Sequence, residues 1–388
     1  MRQIYLDYNA STPIDPAVGT AMRKYLEEHY GNPSSGHWAA TPAKAALEAA
    51  RGQVAAVLGC QNDEVVFTSG GSEANNFALK GVFFALRDRG DHIVTTRIEH
   101  PAIVGPCHFL ERLGARVTYL CVDGTGRVDP DDLRRAITPR TVLVSIMHAN
   151  NEVGTIEPIE DCTAIAREHG VLTHTDAAQS VGKIPVEVNK LGVDLLSIAG
   201  HKLYAPKGIG ALFVRQGVPI EPLIHGAGHE GGRRAGTESA LLAVGLGAAC
   251  ELARDLAPME RVRSLRDRFW RALKMRFGDR VLLNGHPDHR LPNTLNVAFV
   301  GHIGSEILAR LDGVAASTGS ACHAGRVELS PVLEAMGIAS DIGIGAIRFS
   351  LGRNTALAEI EHVVGELGGL LAGERARGMD PRWVTPST

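Results

Sequence analysis

Several short apolar runs in this chain end in clusters of residues that can do chemistry. Val65–Phe67 leads into Thr68-Ser69-Gly70-Gly71-Ser72-Glu73, and the run at 92–96 into Arg97-Ile98-Glu99-His100-Pro101. Val142–Met147 precedes His148-Ala149-Asn150-Asn151-Glu152, and Val171–Leu172 precedes Thr173-His174-Thr175-Asp176-Ala177-Ala178-Gln179. Leu195–Ile198 runs into Ala199-Gly200-His201-Lys202. A Ser-Gly-Gly-Ser turn that opens a helix lets backbone approach an anion, with hydroxyls and unpaired N–H groups as donors. It is not a Walker loop, because no Gly-Lys-Ser/Thr follows. Alone, such a turn is more often only a turn, and a single histidine at a strand end is more often structural. A lysine after an apolar strand and a small-residue turn is a candidate buried amine, able to bond a carbonyl covalently. Such clusters at successive strand ends weigh far more than any one of them.

Together these groups suit pyridoxal phosphate. That cofactor needs a lysine for its aldehyde, a carboxylate to keep its pyridine nitrogen protonated, and an anion site for its phosphate. Asp176 and Lys202 are separated by one strand–helix–strand unit, so they can face one ring from neighbouring strands.

Groups at strand ends need a frame that gathers those ends. A parallel α/β sheet does so, since reactive groups collect beyond the C-terminal ends of its strands. Strand-like runs lie at Val65–Thr68, His92–Thr96, Arg116–Leu120, Val142–Met147, Val171–Thr175, Leu195–Ala199 and Ala211–Val214. Most are apolar on both faces, as buried parallel strands are. Helical patterns occupy 41–58, 72–87, 101–113, 130–136 and 158–169. In the first, Thr41 is a candidate cap, Pro42 suits the first turn, and Gly59 ends it. The expected fold is therefore α/β, a large domain with a mostly parallel sheet.

Near residue 256 the texture changes. A charged amphipathic helix at Leu256–Phe277 precedes a turn region at Asn284–Pro292, a strand at Thr294–Val300 and a helix at 304–311. A strand at Ile347–Ser350 and a helix at 355–372 complete a smaller α+β segment, and Gly373–Thr388 reads as a frayed tail. The expected domains are 13–256, and 1–12 together with 257–388.

Composition narrows the function classes. The chain has 388 residues, 44% hydrophobic, with 40 Lys+Arg against 43 Asp+Glu. That hydrophobicity and low net charge exclude a disordered chain, and the absence of basic blocks argues against a nucleic-acid surface. No apolar stretch reaches the ~18 residues of a membrane span. The first residues lack the apolar centre of a secretory signal, so the expected compartment is the cytoplasm. Six scattered cysteines show no metal-finger spacing, and five of them, Cys60, Cys107, Cys121, Cys162 and Cys250, read as ordinary free thiols. The sixth, Cys322, lies in Ala316-Ser317-Thr318-Gly319-Ser320-Ala321-Cys322-His323-Ala324-Gly325, small and polar surroundings that suit an exposed reactive thiol.

Eight segments occur in a recognisable order: Tyr5-Leu6-Asp7-Tyr8-Asn9-Ala10-Ser11-Thr12-Pro13, Gly31-Asn32-Pro33-Ser34-Ser35, Phe67–Glu73, Asn150-Asn151-Glu152, His174–Gln179, Gly200-His201-Lys202, Ser320-Ala321-Cys322 and Arg348-Phe349-Ser350-Leu351-Gly352-Arg353. The chain resembles the cysteine desulfurases of the class V aminotransferase family, on the iron–sulfur cluster assembly branch, from about residue 4 to 370. The resemblance implies the type I fold of pyridoxal-phosphate-dependent transferases. It implies that Lys202 holds the cofactor, Asp176 pairs with its ring nitrogen, His100 stacks over the ring, and Gln179 and Asn151 orient it. Gly71, Ser72 and His201 fall on the phosphate site, with Thr237 donated from the other subunit of a homodimer. Arg348 would fix the substrate carboxylate, with Asn9 and Asn151 beside it, and His100 is a candidate acid/base.

The implied reaction takes L-cysteine to L-alanine, with the sulfur carried as a persulfide on Cys322 to an acceptor protein or small thiol. Cys322 is also a candidate transient iron–sulfur ligand; no other metal site is expected. Two departures stand out: Ala199 replaces a serine that many members use on the phosphate, and 323–328 differs from the usual continuation after the cysteine. The second, with Tyr8-Asn9-Ala10, looks like selenocysteine lyases, the first alternative. An aminotransferase and a non-catalytic sulfur-carrier scaffold are the others.

Overall fold

The computed structural model describes residues 3–318 and 328–371 in full, and the backbone alone at 322–323, 326–327 and 372. The expectation for Gly373–Thr388 lies outside the described residues. Fourteen strands occur among those described, β1 (Ile4–Tyr5), β2 (Val65–Thr68), β3 (His92–Thr96), β4 (Arg116–Leu120), β5 (Thr141–Ser145), β6 (Leu172–Asp176), β7 (Leu195–Ala199), β8 (Gly210–Val214), β9 (Val281–Asn284), β10 (Thr294–Phe299), β11 (Val314–Ala315), β12 (Cys322–His323), β13 (Arg326–Val327) and β14 (Ala346–Ser350).

The main sheet runs β2-β8-β7-β6-β5-β3-β4. Strands β4, β3, β5, β6 and β7 pair in parallel, while β8 is antiparallel to both β7 and β2. Alternate residues feed two cores on opposite faces. Phe67, Leu196, Ile198 and Phe213 enter one, and Val66, Leu195 and Leu212 enter the other. This explains why the central strands read as apolar on both faces. Edge strand β4 exposes Arg116 and is only half-buried along most of its length, which guards the open edge.

The helix Gly71–Leu86 covers one face, burying Ala74, Phe77, Ala78, Leu79, Val82 and Phe83. On the other face the helix Thr41–Leu58 packs with Ala240–Ala253. Their backbones come close enough that a Cβ on Gly247 would lie 2.8 Å from the Ala50 Cα. The C-terminal end of Thr41–Leu58 is as expected, with Gly59 left-handed at φ 68°. Its start is not. Ala40, itself α-helical in φ/ψ, precedes the first turn, and no side chain caps it. The chain enters from a turn in which Thr41 N–H donates to the Trp38 carbonyl, so the extended geometry a Thr cap needs is absent.

A second core joins Ile4 and Leu6 to Phe269, Leu273, Leu295, Val297, Ile347, Phe349 and Val363. It is built on the antiparallel sheet β14-β10-β9 and the helices Ala257–Phe277 and Leu357–Ala372. Within the expected turn region, Asn284 ends β9, which pairs with β10. Strand β1 pairs in parallel with β11, and Asp7 bridges to Ser350, carrying the chain start past this core toward the main sheet. Among the described residues, no helix is long and apolar enough to cross a membrane.

Candidate active site

The C-terminal ends of β2, β3, β5, β6 and β7 open on one cavity of about 640 Å³. Gly71, Ser72, His100, Asn151, Asp176, Gln179, His201, Lys202, Asn9 and Arg348 all line it, as does Ala199. Asp176 ends β6 opposite Ser197 of β7, and the chain beyond β7 turns within three residues to Lys202. The two are thus neighbours because their strands are.

Lys202 Nζ donates to the carbonyls of Asn9 at 2.5 Å and Ala10 at 2.8 Å. Those bonds use both protons of a neutral amine and leave its lone pair free. Burial, then the Arg348 charge, lower its pKa to about 8 against the opposing pull of Asp176 and Asp7. Asp176 accepts from Asn75 Nδ2 at 2.7 Å and from the Ala178 N–H at 2.9 Å, which hold its carboxylate in place. Because an ionised carboxylate only accepts, the Asn75 amide keeps its donor end on Asp176, with its Oδ1 buried without a partner.

His100 caps the helix Pro101–Glu111 by accepting the Ala102 N–H at Nδ1, which leaves the proton of a neutral ring on Nε2. Burial lowers its pKa; the Asp176 charge opposes this and Lys202 adds to it. Its neighbour Glu99 ties two strand ends together, accepting from Thr96 Oγ1 and the Met147 N–H. His201 is pushed down to about 4 by burial, then by the charges of Lys202, Lys207 and His100. Gly70 and Gly71 open the helix Gly71–Leu86 at the cavity wall, where a Cβ on Gly71 would lie 3.1 Å from the Ala199 Cβ.

Arg348 projects from β14. Its Nη2 pairs with Asp7 at 2.7 Å, its Nη1 donates to the Asn151 carbonyl at 2.9 Å, and its Nε is buried without a partner. Asn9 is fully engaged: its amide meets Thr294 Oγ1, the Asn151 carbonyl and Asn293 Nδ2. Thr237 stands apart, exposed in an adjoining cleft of about 220 Å³ that shares Ser69 and Gly208 with the main cavity. Cys322 lies on β12, paired antiparallel with β13, and its side chain is outside the described residues.

The aminotransferase class-V family profile matches residues 4–363. The chain belongs to that family. Among its relatives, the cysteine desulfurase IscS of Dictyoglomus turgidum is 48% identical over 98% of this chain and 97% of its own. A solved NifS-like protein superposes with a TM-score of 0.90 at 38% identity, covering 96% of this chain and all of its own. A structure described as SspA in complex with cysteine has a TM-score of 0.82 at 37% identity, covering 91% of this chain and all of its own. At these similarities the class-V member has the fold of type I pyridoxal-phosphate enzymes, as its mostly parallel sheet implies.

The residues present fit pyridoxal phosphate. A partly neutral lysine, a carboxylate braced by Asn75, and the N-terminus of a 16-residue helix beside His201 face one cavity. These are an amine for an aldehyde, an anion for a pyridinium, and donors for a phosphate.

Sequence reasoning did not single out Asn75, Asp7 or Lys183. Asn75 carried a signal, since a polar residue on the apolar face of a helix that opens at an anion turn needs a partner. Asp7 stood in a quoted motif without a role; only the fold brings it to Arg348.

Proposed function

We propose that this chain is a pyridoxal-phosphate-dependent cysteine desulfurase that converts L-cysteine to L-alanine and passes the sulfur through a persulfide on Cys322. The observation that carries it is the single cavity joining the Lys202 amine, the Asp176 carboxylate and the Arg348 guanidinium, in a chain 48% identical to a named cysteine desulfurase.

Bound there, the cofactor would supply an electron sink for bonds at the substrate's α and β carbons. Lys202 would hold it, Asp176 would face its ring nitrogen, and Gly71, Ser72 and His201 would take its phosphate. His100, Gln179 and Asn151 would orient the ring. Arg348 suits an amino-acid carboxylate, because a guanidinium binds a carboxylate in a bidentate fork. Lys202 Nζ, with its pKa near 8, takes a proton from the substrate Cα and returns protons to the product. The Cys322 thiolate attacks the substrate sulfur. The S–S bond forms as the Cβ–S bond breaks, the electron pair stays on Cβ, and a proton completes the methyl group of alanine. No outside oxidant is required. A reducing thiol or an acceptor protein then removes the sulfur.

Thr237 is assigned to the phosphate site of a second copy in a homodimer; its exposure and its place off the main cavity support this. Domain limits of 13–256, and 1–12 with 257–388, remain the proposed division; the separate clusters around Phe213 and around Phe349 support it, while a smaller cluster joins Ile98 and Met147 to Leu333 and Ala346. The described cysteines are free thiols, which suits the cytoplasm. Iron–sulfur cluster assembly is the assigned destination of the sulfur.

The test is sulfide and alanine release from L-cysteine and from L-selenocysteine with reductant, for wild type and Cys322→Ala. Equimolar products, lost on L-cysteine in the variant, support the assignment. Turnover of L-selenocysteine alone would make the enzyme a selenocysteine lyase, and a variant still active on L-cysteine would remove Cys322 from the mechanism.

A further inference from the structure

Behind the cavity lies a buried amine that the mechanism above does not use. Lys183 is 8% exposed, and its Nζ donates to Gln179 Oε1 at 2.7 Å. The two side chains sit four residues apart on a tight turn, in which the Val181 N–H donates to the Ala177 carbonyl and the Ile184 N–H to the Ser180 carbonyl. The other end of the Gln179 amide, Nε2, donates to the Asn9 carbonyl at 3.0 Å. That same carbonyl accepts from Lys202. Lys183, Gln179, the Asn9 carbonyl and Lys202 therefore form one continuous polar chain running from behind the cavity wall into the cavity.

An amide such as Gln179 has two orientations that differ little in shape. Here they differ greatly in energy. Turning it over would set Oε1 against the Asn9 carbonyl, oxygen against oxygen, and remove the acceptor that Lys183 meets. An ammonium can only donate, which holds Oε1 on the Lys183 side; a neutral amine could also accept, but the flip would still set Oε1 against the Asn9 carbonyl. Burial drives the Lys183 pKa well below its ordinary value, followed by the charges of Lys202 and Arg348, which limits the charge it adds beside Lys202.

We propose that Lys183 is a positioning residue that locks the Gln179 amide with its N–H end toward the cavity, so that Gln179 presents a hydrogen-bond donor, never an acceptor, to the bound cofactor. One Nε2 proton is used on the Asn9 carbonyl, and the other serves a ligand in the cavity that Gln179 lines. A donor there suits an oxygen that carries negative charge. This rests on the cofactor assignment above.

The experiment combines apoenzyme and pyridoxal phosphate titrations of wild type, Lys183→Met, Gln179→Leu and the double variant. Lys183→Met leaves a buried oxygen unpaired and should weaken cofactor binding about tenfold. Because it acts through Gln179, the double variant should bind no more weakly than Gln179→Leu alone, and the visible band of the holoenzyme should move in the same direction in both single variants. Losses that multiply in the double variant, or unchanged affinity in Lys183→Met, would overturn the assignment. If Lys183→Met does not fold, Lys183→Gln, which keeps a donor, takes its place and should bind more tightly than Gln179→Leu; equal or weaker binding would overturn it. A cofactor-free readout separates this from failure of the cofactor assignment. In the apoenzyme the Gln179 side-chain N–H bonded to the Asn9 carbonyl should exchange slowly with solvent and markedly faster in Lys183→Met; an exchange rate indifferent to the substitution would refute the lock.

Discussion

The proposed role of Lys202 needs a nucleophilic amine at neutral pH, and its surroundings favour one. Burial and then the Arg348 charge bring its pKa from 10.5 to about 8. At pH 7 roughly one amine in ten is then neutral, against roughly one in 3,000 for an ordinary lysine, a gain of about 300-fold in reactive form. The perturbation is Arg348→Met, which removes the second cause and frees Asp7, whose charge then acts on Lys202 without its partner. Both changes favour the ammonium, so the pKa rises, while burial keeps it below 10.5. The assay is the rate at which apoenzyme captures pyridoxal phosphate covalently, trapped by borohydride across pH. Wild type should show a midpoint near 8 and the variant a higher one. Linkage gives an independent check. Between about 8 and 10.5 the unfolded chain binds the Lys202 proton and the native chain does not, so this group's contribution to stability grows as pH rises through that window. A wild-type midpoint at the ordinary lysine value, or a downward shift in the variant, would refute the reasoning.

Further outcomes follow from neighbouring residues. Ala199→Ser restores a donor on the cavity wall and should tighten pyridoxal phosphate binding about fivefold in a fluorescence titration, roughly the value of one net hydrogen bond; unchanged affinity would place the phosphate elsewhere. Gly71→Ala brings a Cβ to 3.1 Å from the Ala199 Cβ and should cost about 1 kcal/mol in a urea melt, with weaker cofactor binding. Glu99, its pKa raised by burial to about 8, keeps a proton that the unfolded chain loses above about pH 4.5. Its contribution to stability therefore falls as pH rises toward 8. Glu99→Gln should flatten the decline in Tm between pH 5 and pH 8, and an unchanged decline would show Glu99 ionised throughout.

Much of the site was legible because a parallel sheet delivers it. Asp176 and Lys202 follow apolar strands, and the pairing of β6 with β7 sets them side by side. The Gly70-Gly71 turn at the cavity wall was legible because glycines and hydroxyls opened a helical pattern. What escaped depends on contacts distant in sequence. Asp7 meets Arg348 only because the chain start crosses the second core, and Lys183 acts on Gln179 only inside a buried turn. The helix Ala240–Ala253 gave no amphipathic stripe, since it is apolar nearly all round and buried against Thr41–Leu58. Strand β9 escaped because its four residues, Val-Leu-Leu-Asn, follow a long helical pattern after only Gly278–Arg280.

The central claim is that sulfur passes from L-cysteine to Cys322. The most direct measurement is the mass of the Cys322-containing peptide after holoenzyme meets one equivalent of L-cysteine without reductant. A gain of one sulfur atom on that peptide, matched by one alanine per added sulfur and absent in Cys322→Ser, is the predicted result. Alanine formed in full with the Cys322 peptide unmodified would contradict the account.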